Sequence, residues 1–249
     1  MTPQWSIFTP TSTHRPLSNA CPQSPFLLLL LLSAKRSPIP VLKARSHVPY
    51  IRTFAPDPTA RLIILPGEDD PAMPSTARGR PIGPEYYDVA AKIAFMDAHG
   101  IHISVLSQAN PWLDFLAADE APAAARTVNG DINAMCACYP GRLFAFATLP
   151  VAAGPAACVD EVRRLRDGAL PWVRGVVLGT NALGRGLDDA EMDAVWAALQ
   201  DAGLTVFVHP HYGLPKDVYG PRAHEYGHVL PLAMGSVHHS SARSLALRL

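Results

Sequence analysis

The sequence predicts an α/β protein built on a parallel sheet. From about residue 85, strand-like apolar runs alternate with helix-periodic segments at intervals of about thirty to forty residues, the rhythm of βαβ units. The runs are continuously apolar rather than alternating, as expected when both faces of a sheet are covered. Just past each run the chain turns polar and rich in Gly and Pro: SQANPW, TLP, GTNALG and HPHYG. An open doubly wound sheet and a (β/α)8 barrel both satisfy this pattern, and both place chemistry at the carboxyl ends of strands.

The elements follow in order. RLIILPGE (61–68) reads as an extra strand in an insertion ahead of the regular part. EYYDVAAKIAFMDAHG (85–100) puts Val89, Ile93 and Met96 on one helical face, with Gly100 as its stop. IHISVLSQ (101–108) reads as a strand. A helix with Val128, Ile132 and Met135 in phase follows and ends at Pro140-Gly141. LFAFATLP (143–150) is the next strand, and Cys158, Val162 and Leu165 mark a helix closed by Gly168. VRGVVLGT (173–180) is a strand. Asp188 or Asp189 caps a helix carrying Met192, Val195, Trp196 and Leu199, which Gly203 stops. LTVFVHPH (204–211) is the last clear strand.

Composition bounds the rest. With 249 residues, 49% of them apolar, the chain can bury a sizeable core as one large α/β domain or two small ones. Lys plus Arg and Asp plus Glu are 21 each. That balance, with no basic stripe of interleaved aromatics, argues against nucleic acid. Cys21, Cys136, Cys138 and Cys158 show neither disulfide density nor CxxC spacing, which reads as a reduced, cytoplasmic protein. Residues 1–40 are rich in Pro, Ser and Thr without periodicity and read as a disordered leader. FLLLLLLS (26–33) is at the short limit of a signal-peptide core, follows Pro22 and Pro25, precedes the poor cleavage site SAKRS, and is too short to span a membrane.

Several residues invite a chemical reading. His209 closes an apolar strand, where an imidazole can point into a barrel mouth and ligate Zn or a similar ion; a strand-end His is also a common structural feature, and one imidazole does not make a site. HEYGH (224–228) matches the H-E-x-x-H peptidase pattern, but it lies between Pro221 and Pro231 without a downstream third ligand. GTNALGRG (179–186) lacks the Lys-Ser/Thr ending of a phosphate loop and reads as a Gly-rich βα loop. Asn110, a strand-end amide, can bind a substrate carbonyl or fix its turn. Arg80, in the loop GRPIG, can clamp a carboxylate bidentately or be a solvated surface cation. His99 and His102 flank a helix-to-strand turn, Cys136 and Cys138 read as packing, and His238-His239 carries no signal.

GIHISVLSQANPWLDFL, GRLFAFATLP, RGVVLGTNALGRGLDD and VFVHPHYGLPKDVYGPRAHEYGHVLPLAMG together resemble the amidohydrolase-related metal enzymes. Within that family they are most similar to the fungal uracil-5-carboxylate (isoorotate) decarboxylases, relatives of the aminocarboxymuconate-semialdehyde decarboxylases. The likeness starts near Leu42 and stops at Gly235. The expected organisation is therefore a leader at 1–40, a partial amidohydrolase-related barrel at 41–235 and an unrelated tail at 236–249. The resemblance implies a (β/α)8 TIM barrel, of which this chain carries about strands 2–5, and one divalent metal, usually zinc. It implies that His209 is a metal ligand and that Arg80 and Asn110 bind the carboxylate and ring groups of a small substrate. It gives His211 no definite role and makes HEYGH accidental, because the family pattern has an acidic residue where this chain has His224.

The departures set further expectations. The family opens on an H-x-H strand and ends on a strand whose Asp is both ligand and proton donor; only isolated His14 and His47 stand near the start here, and the catalytic Asp has no counterpart. Both edges read as gene-model error. The expectation is a carboxy-lyase by family whose present chain is inert, with three alternatives: a hydrolase of the same barrel family, a noncatalytic fragment, and, least favoured, a zinc peptidase. The expected partner is a small-molecule carboxylate, with no nucleic acid, no membrane and a homodimer as in barrel relatives.

Overall fold

The structure is a computed structural model that describes residues 50–210, apart from 65, 66, 73, 76, 77, 111, 181, 184 and 185. The leader 1–40, His14, His47, His211, the HEYGH segment and the tail 236–249 lie outside the described residues.

The described chain forms two sheets. The first is antiparallel and holds β1 (Tyr50–Phe54), β2 (Asp57–Ile63) and β3 (Arg80–Pro81). It corrects two expectations. The extra strand spans 57–63 rather than 61–68. Arg80 is a strand residue rather than a loop cation, because it pairs with Leu62 of β2. Only a glycine suits the residue before it: Gly79 has φ +49°, and a Cβ there would meet the Leu62 carbonyl oxygen at 2.8 Å.

The second sheet is the parallel one the periodicity predicts. Its four strands, β4 (Ser104–Leu106), β5 (Leu143–Thr148), β6 (Val173–Gly179) and β7 (Thr205–His209), lie side by side in chain order, all parallel. Helix α1 (Val89–Ala98) precedes β4, and α2 (Ala121–Ala137), α3 (Pro155–Arg166) and α4 (Asp193–Asp201) fill the crossovers. Successive β/α units in one parallel sheet make this a partial (β/α) barrel. The N-terminus of α1 is fixed by Asp88, whose side chain accepts from the Ala90 and Ala91 amides. Of the two candidate caps before α4, the structure selects Asp189, which accepts from the Glu191 amide and starts a 3-10 turn leading into the helix. β4 is shorter than the 101–108 expected. The Ile101 amide turns back to the Met96 carbonyl of α1, and pairing with β5 begins only at Ser104.

One face of the parallel sheet makes the core. Leu143, Ala145, Ala147, Val176 and Leu178 pack against Met96, Val162, Met192 and Val195 of the helices, and Cys136 and Cys158 are buried among them. Each fully buried aliphatic side chain contributes about 2 kcal/mol. The opposite face carries Val105, Phe144, Phe146, Val177 and Phe207, the partners in register on the other parity. Phe146 stacks on Phe207 at 5.6 Å, while Val105 and Phe207 keep 44% and 42% of their surface exposed. Strands β6 and β7 approach closely because Gly175 leaves room: a Cβ there would stand 2.1 Å from the Thr205 carbonyl oxygen.

Candidate metal and substrate site at the strand ends

Parallel pairing brings the carboxyl ends of β4 to β7 to one rim, and His209 is the last residue of β7. Its position is fixed by backbone and by rings. The Thr180 amide, just past β6, donates to the His209 carbonyl at 3.0 Å. The half-buried imidazole meets Trp112 edge-to-face at 5.5 Å and Phe207 at 5.9 Å. His209 Nδ1 lies 2.9 Å from the Pro210 carbonyl oxygen. A carbonyl only accepts, so Nδ1 is the donor, and in the neutral ring Nε2 carries the lone pair. A histidine that donates one ring N–H to a backbone carbonyl and presents the other nitrogen has the tautomer of a metal ligand.

Asn110 reaches the same carbonyl. Its Nδ2 donates to the Pro210 oxygen at 2.9 Å, so one oxygen accepts from both candidate residues and sets them side by side. This bond also fixes the amide's orientation. Asn110 is 6% exposed, and its Oδ1 has no partner among the described residues. A buried acceptor left unpaired costs about 1–3 kcal/mol, and its natural complement is a donor on a ligand.

The loop carrying Asn110 folds back through its own bonds. The Trp112 amide donates to Ala109 O at 3.1 Å, and Gln108 Nε2 donates to Trp112 O at 3.2 Å. Leu113 is wholly buried against Ala125 and Val128 of α2. The loop also holds Trp112 at φ 52°, a left-handed conformation that costs a bulky residue of order 1–3 kcal/mol. Strain of this kind persists where surrounding structure over-determines it, and here it presses the indole against His209.

The structure therefore brings His209 and Asn110 together. It places Arg80 in the separate antiparallel sheet, half-buried on β3. Among the described residues, no group of three His, Cys, Asp or Glu side chains converges to hold a metal; His209 fits the role of one ligand by its tautomer and place. His99, unpartnered in the sequence reading, stacks on Phe95 at 4.1 Å with Nδ1 2.8 Å from the Phe95 carbonyl, a local surface arrangement. Trp112, Gln108 and Thr148 were not singled out from sequence, although two of them stand in the SQANPW stretch that was.

The sequence family described as amidohydrolase matches residues 46–243. Among solved structures, IDCase of Metarhizium anisopliae in apo form is 45% identical, with a TM-score of 0.70 over 81% of this chain and 55% of that one. The 2,6-dihydroxybenzoate decarboxylase from Rhizobium, complexed with 2,6-dihydroxybenzoate, is 26% identical with a TM-score of 0.50, covering 62% of this chain and 48% of that one. Gamma-resorcylate decarboxylase of Rhizobium sp. (strain MTP-10005) is 30% identical over 132 residues, 51% of this chain. The chain spans 40% of that relative's length.

Proposed function

The chain belongs to the amidohydrolase family, and from that premise we propose that its strand-end site serves metal-dependent, non-oxidative decarboxylation of a small (hetero)aromatic carboxylate such as uracil-5-carboxylate. The observation that carries the proposal is the shared Pro210 carbonyl. It engages His209 Nδ1 and Asn110 Nδ2 and leaves Asn110 Oδ1 without a partner among the described residues, next to an imidazole whose other nitrogen, Nε2, is the candidate metal donor. His209, with further donors, would hold a divalent ion, which would supply Lewis-acid polarisation of substrate oxygens. Zinc is the ion we propose, on family resemblance.

Asn110 takes the part the geometry allows. Its Oδ1 cannot bind a carboxylate, which is acceptor-only when ionised. It accepts from a ring N–H or a phenolic O–H, and so orients the ring. Arg80 is assigned the carboxylate, which a guanidinium binds bidentately. Residues 41–235 are assigned to the barrel domain, the cytoplasm is proposed as the compartment and a homodimer as the assembly. No described helix is long and apolar enough to cross a membrane.

The test uses the purified 249-residue chain loaded with zinc and incubated with uracil-5-carboxylate. Against the inert chain expected from the sequence, this proposal expects bound metal at one equivalent and release of carbon dioxide, both lost in His209→Ala, with only the release impaired in Asn110→Ala. Hydrolysis without carbon dioxide would move the site to the hydrolase branch of the family. A second reading is favoured by the lack of a three-ligand cluster among the described residues: a noncatalytic chain. Sub-stoichiometric metal with no carbon dioxide would establish it and sink the decarboxylase assignment for this chain.

A further inference from the structure

Behind the strand-end site lies a buried polar path that the proposed chemistry does not use. Asn129 sits wholly buried in the middle of α2, between Ala125, Val128 and Ile132 of the apolar stripe. A mid-helix Asn is a poor helix former, so its place calls for an account. One residue engages both ends of its amide: Nδ2 donates to Thr148 O at 3.0 Å, and Oδ1 accepts from Thr148 N at 2.8 Å. The β4–β5 ladder ends at Leu106 and Ala145, so Asn129 takes up the backbone of β5 beyond the reach of β4. Nδ2 also donates to Glu161 Oε1 at 2.7 Å. Glu161, on α3, is 4% exposed, and Arg164 grips it through Nη2 at 2.6 Å and Nε at 2.8 Å.

On the other side the path continues toward the rim. The Thr148 hydroxyl donates to Gln108 Oε1 at 3.3 Å, and Gln108 Nε2 donates to the Trp112 carbonyl. That carbonyl oxygen accepts only, so the Gln108 amide can face just one way, and its Oε1 is the atom turned to Thr148. Trp112 is the residue whose ring abuts His209, and its loop carries Asn110.

We infer that Thr148 and Gln108 are positioning residues, through which the Asn129–Glu161–Arg164 cluster sets the Trp112 loop against His209. The inference rests on the reading of His209 and Asn110 given above. A purely structural role needs only Asn129, Glu161, Arg164 and the Thr148 backbone, which staple α2 and α3 to β5. The Thr148 hydroxyl and the Gln108 amide add nothing to that staple and matter only for the loop.

Thr148→Val therefore decides the matter, since it keeps the shape and backbone bonds and removes the hydroxyl. The full chain, labelled for NMR at Trp and His, is compared with Thr148→Val, with Thr148→Ser, and with Gln108→Leu, whose loop position spares the core. Expected are shifts of the Trp112 indole and His209 imidazole resonances in Thr148→Val and Gln108→Leu, with the melting temperature nearly unchanged and wild-type positions restored in Thr148→Ser. In turnover, KM for uracil-5-carboxylate should rise roughly five- to tenfold for one lost hydrogen bond, with kcat little changed. Resonances that stay in place in both loss variants, or that move equally in Thr148→Ser, would overturn the positioning role. A chain that turns over no carboxylate would sink the decarboxylase reading while the resonances still decide this one.

Discussion

Two asparagines in this chain are buried to similar degree and used in opposite ways. The amide of Asn129 is fully engaged, by the Thr148 backbone and by Glu161. Among the described residues, that of Asn110 makes one bond and leaves Oδ1 unpaired. Their truncations should therefore separate. Asn129→Ala strands the two Thr148 backbone groups and removes one bond from a Glu161 that Arg164 still holds, and should cost about 3 kcal/mol. Asn110→Ala loses one hydrogen bond but also removes an unsatisfied acceptor, so its net cost should stay below about 1 kcal/mol. Urea denaturation of both variants measures the contrast, and an Asn110→Ala protein as unstable as Asn129→Ala would show that its Oδ1 is satisfied in solution. A buried acceptor kept unpaired at a rim at so little gain in stability is best explained by a ligand that pairs it.

The β6–β7 pair shows the same economy of space among elements. β6 and β7 meet where Gly175 faces Thr205, and no rotamer change relieves a Cβ placed 2.1 Å from a backbone oxygen. Gly175→Ala should destabilise by about 3 kcal/mol, at the upper end of overpacking costs, as read from the denaturation midpoint. A midpoint equal to wild type would mean the strands are spaced more widely than described. The strands and helices of this half were legible in the sequence because their apolar positions keep phase: Val128 and Ile132, Cys158 with Val162 and Leu165, and Met192 with Val195 and Leu199 are all buried. The antiparallel sheet was mostly hidden. Its strands lie among prolines and take their partners from pairing rather than from period, so Arg80 read as a loop residue until Leu62 was seen opposite it. Of the site, His209 and Asn110 were legible as strand-end polar residues. The path through Thr148 was not, since a buried threonine at a strand end looks like packing. Asn129 beside Gly130 offered a signal, two poor helix formers inside a helical period.

Across the whole described molecule, the groups most perturbed by folding are two thiols rather than surface charges. Ion pairs such as Arg142–Asp97 have side chains 36% and 59% exposed, where pairs contribute little. Cys136 and Cys158 lie between the helix layer and the parallel sheet. Burial, with a smaller push from Cys138, raises the Cys136 thiol to about 12; burial, with a smaller push from Asp114, does the same for Cys158. The sign follows from proton binding. In the unfolded chain these thiols ionise near roughly 8.5, so above that pH the unfolded state sheds protons that the folded state keeps. Stability is thus fully present below that pH and falls as pH rises toward about 12. The urea midpoint should drop steadily from about pH 8.5 to about pH 10.5, a window that starts at about the unfolded value and ends below the folded ones. In native buffer at pH 8, iodoacetamide should leave Cys136 and Cys158 unmodified, with both reacting once urea opens the core. Mass spectrometry of the peptides distinguishes the two states. Native-state alkylation of either thiol at the rate of an unfolded peptide would show that the helices do not stay closed over the sheet, and with them would go the rigid rim on which His209 and Asn110 depend.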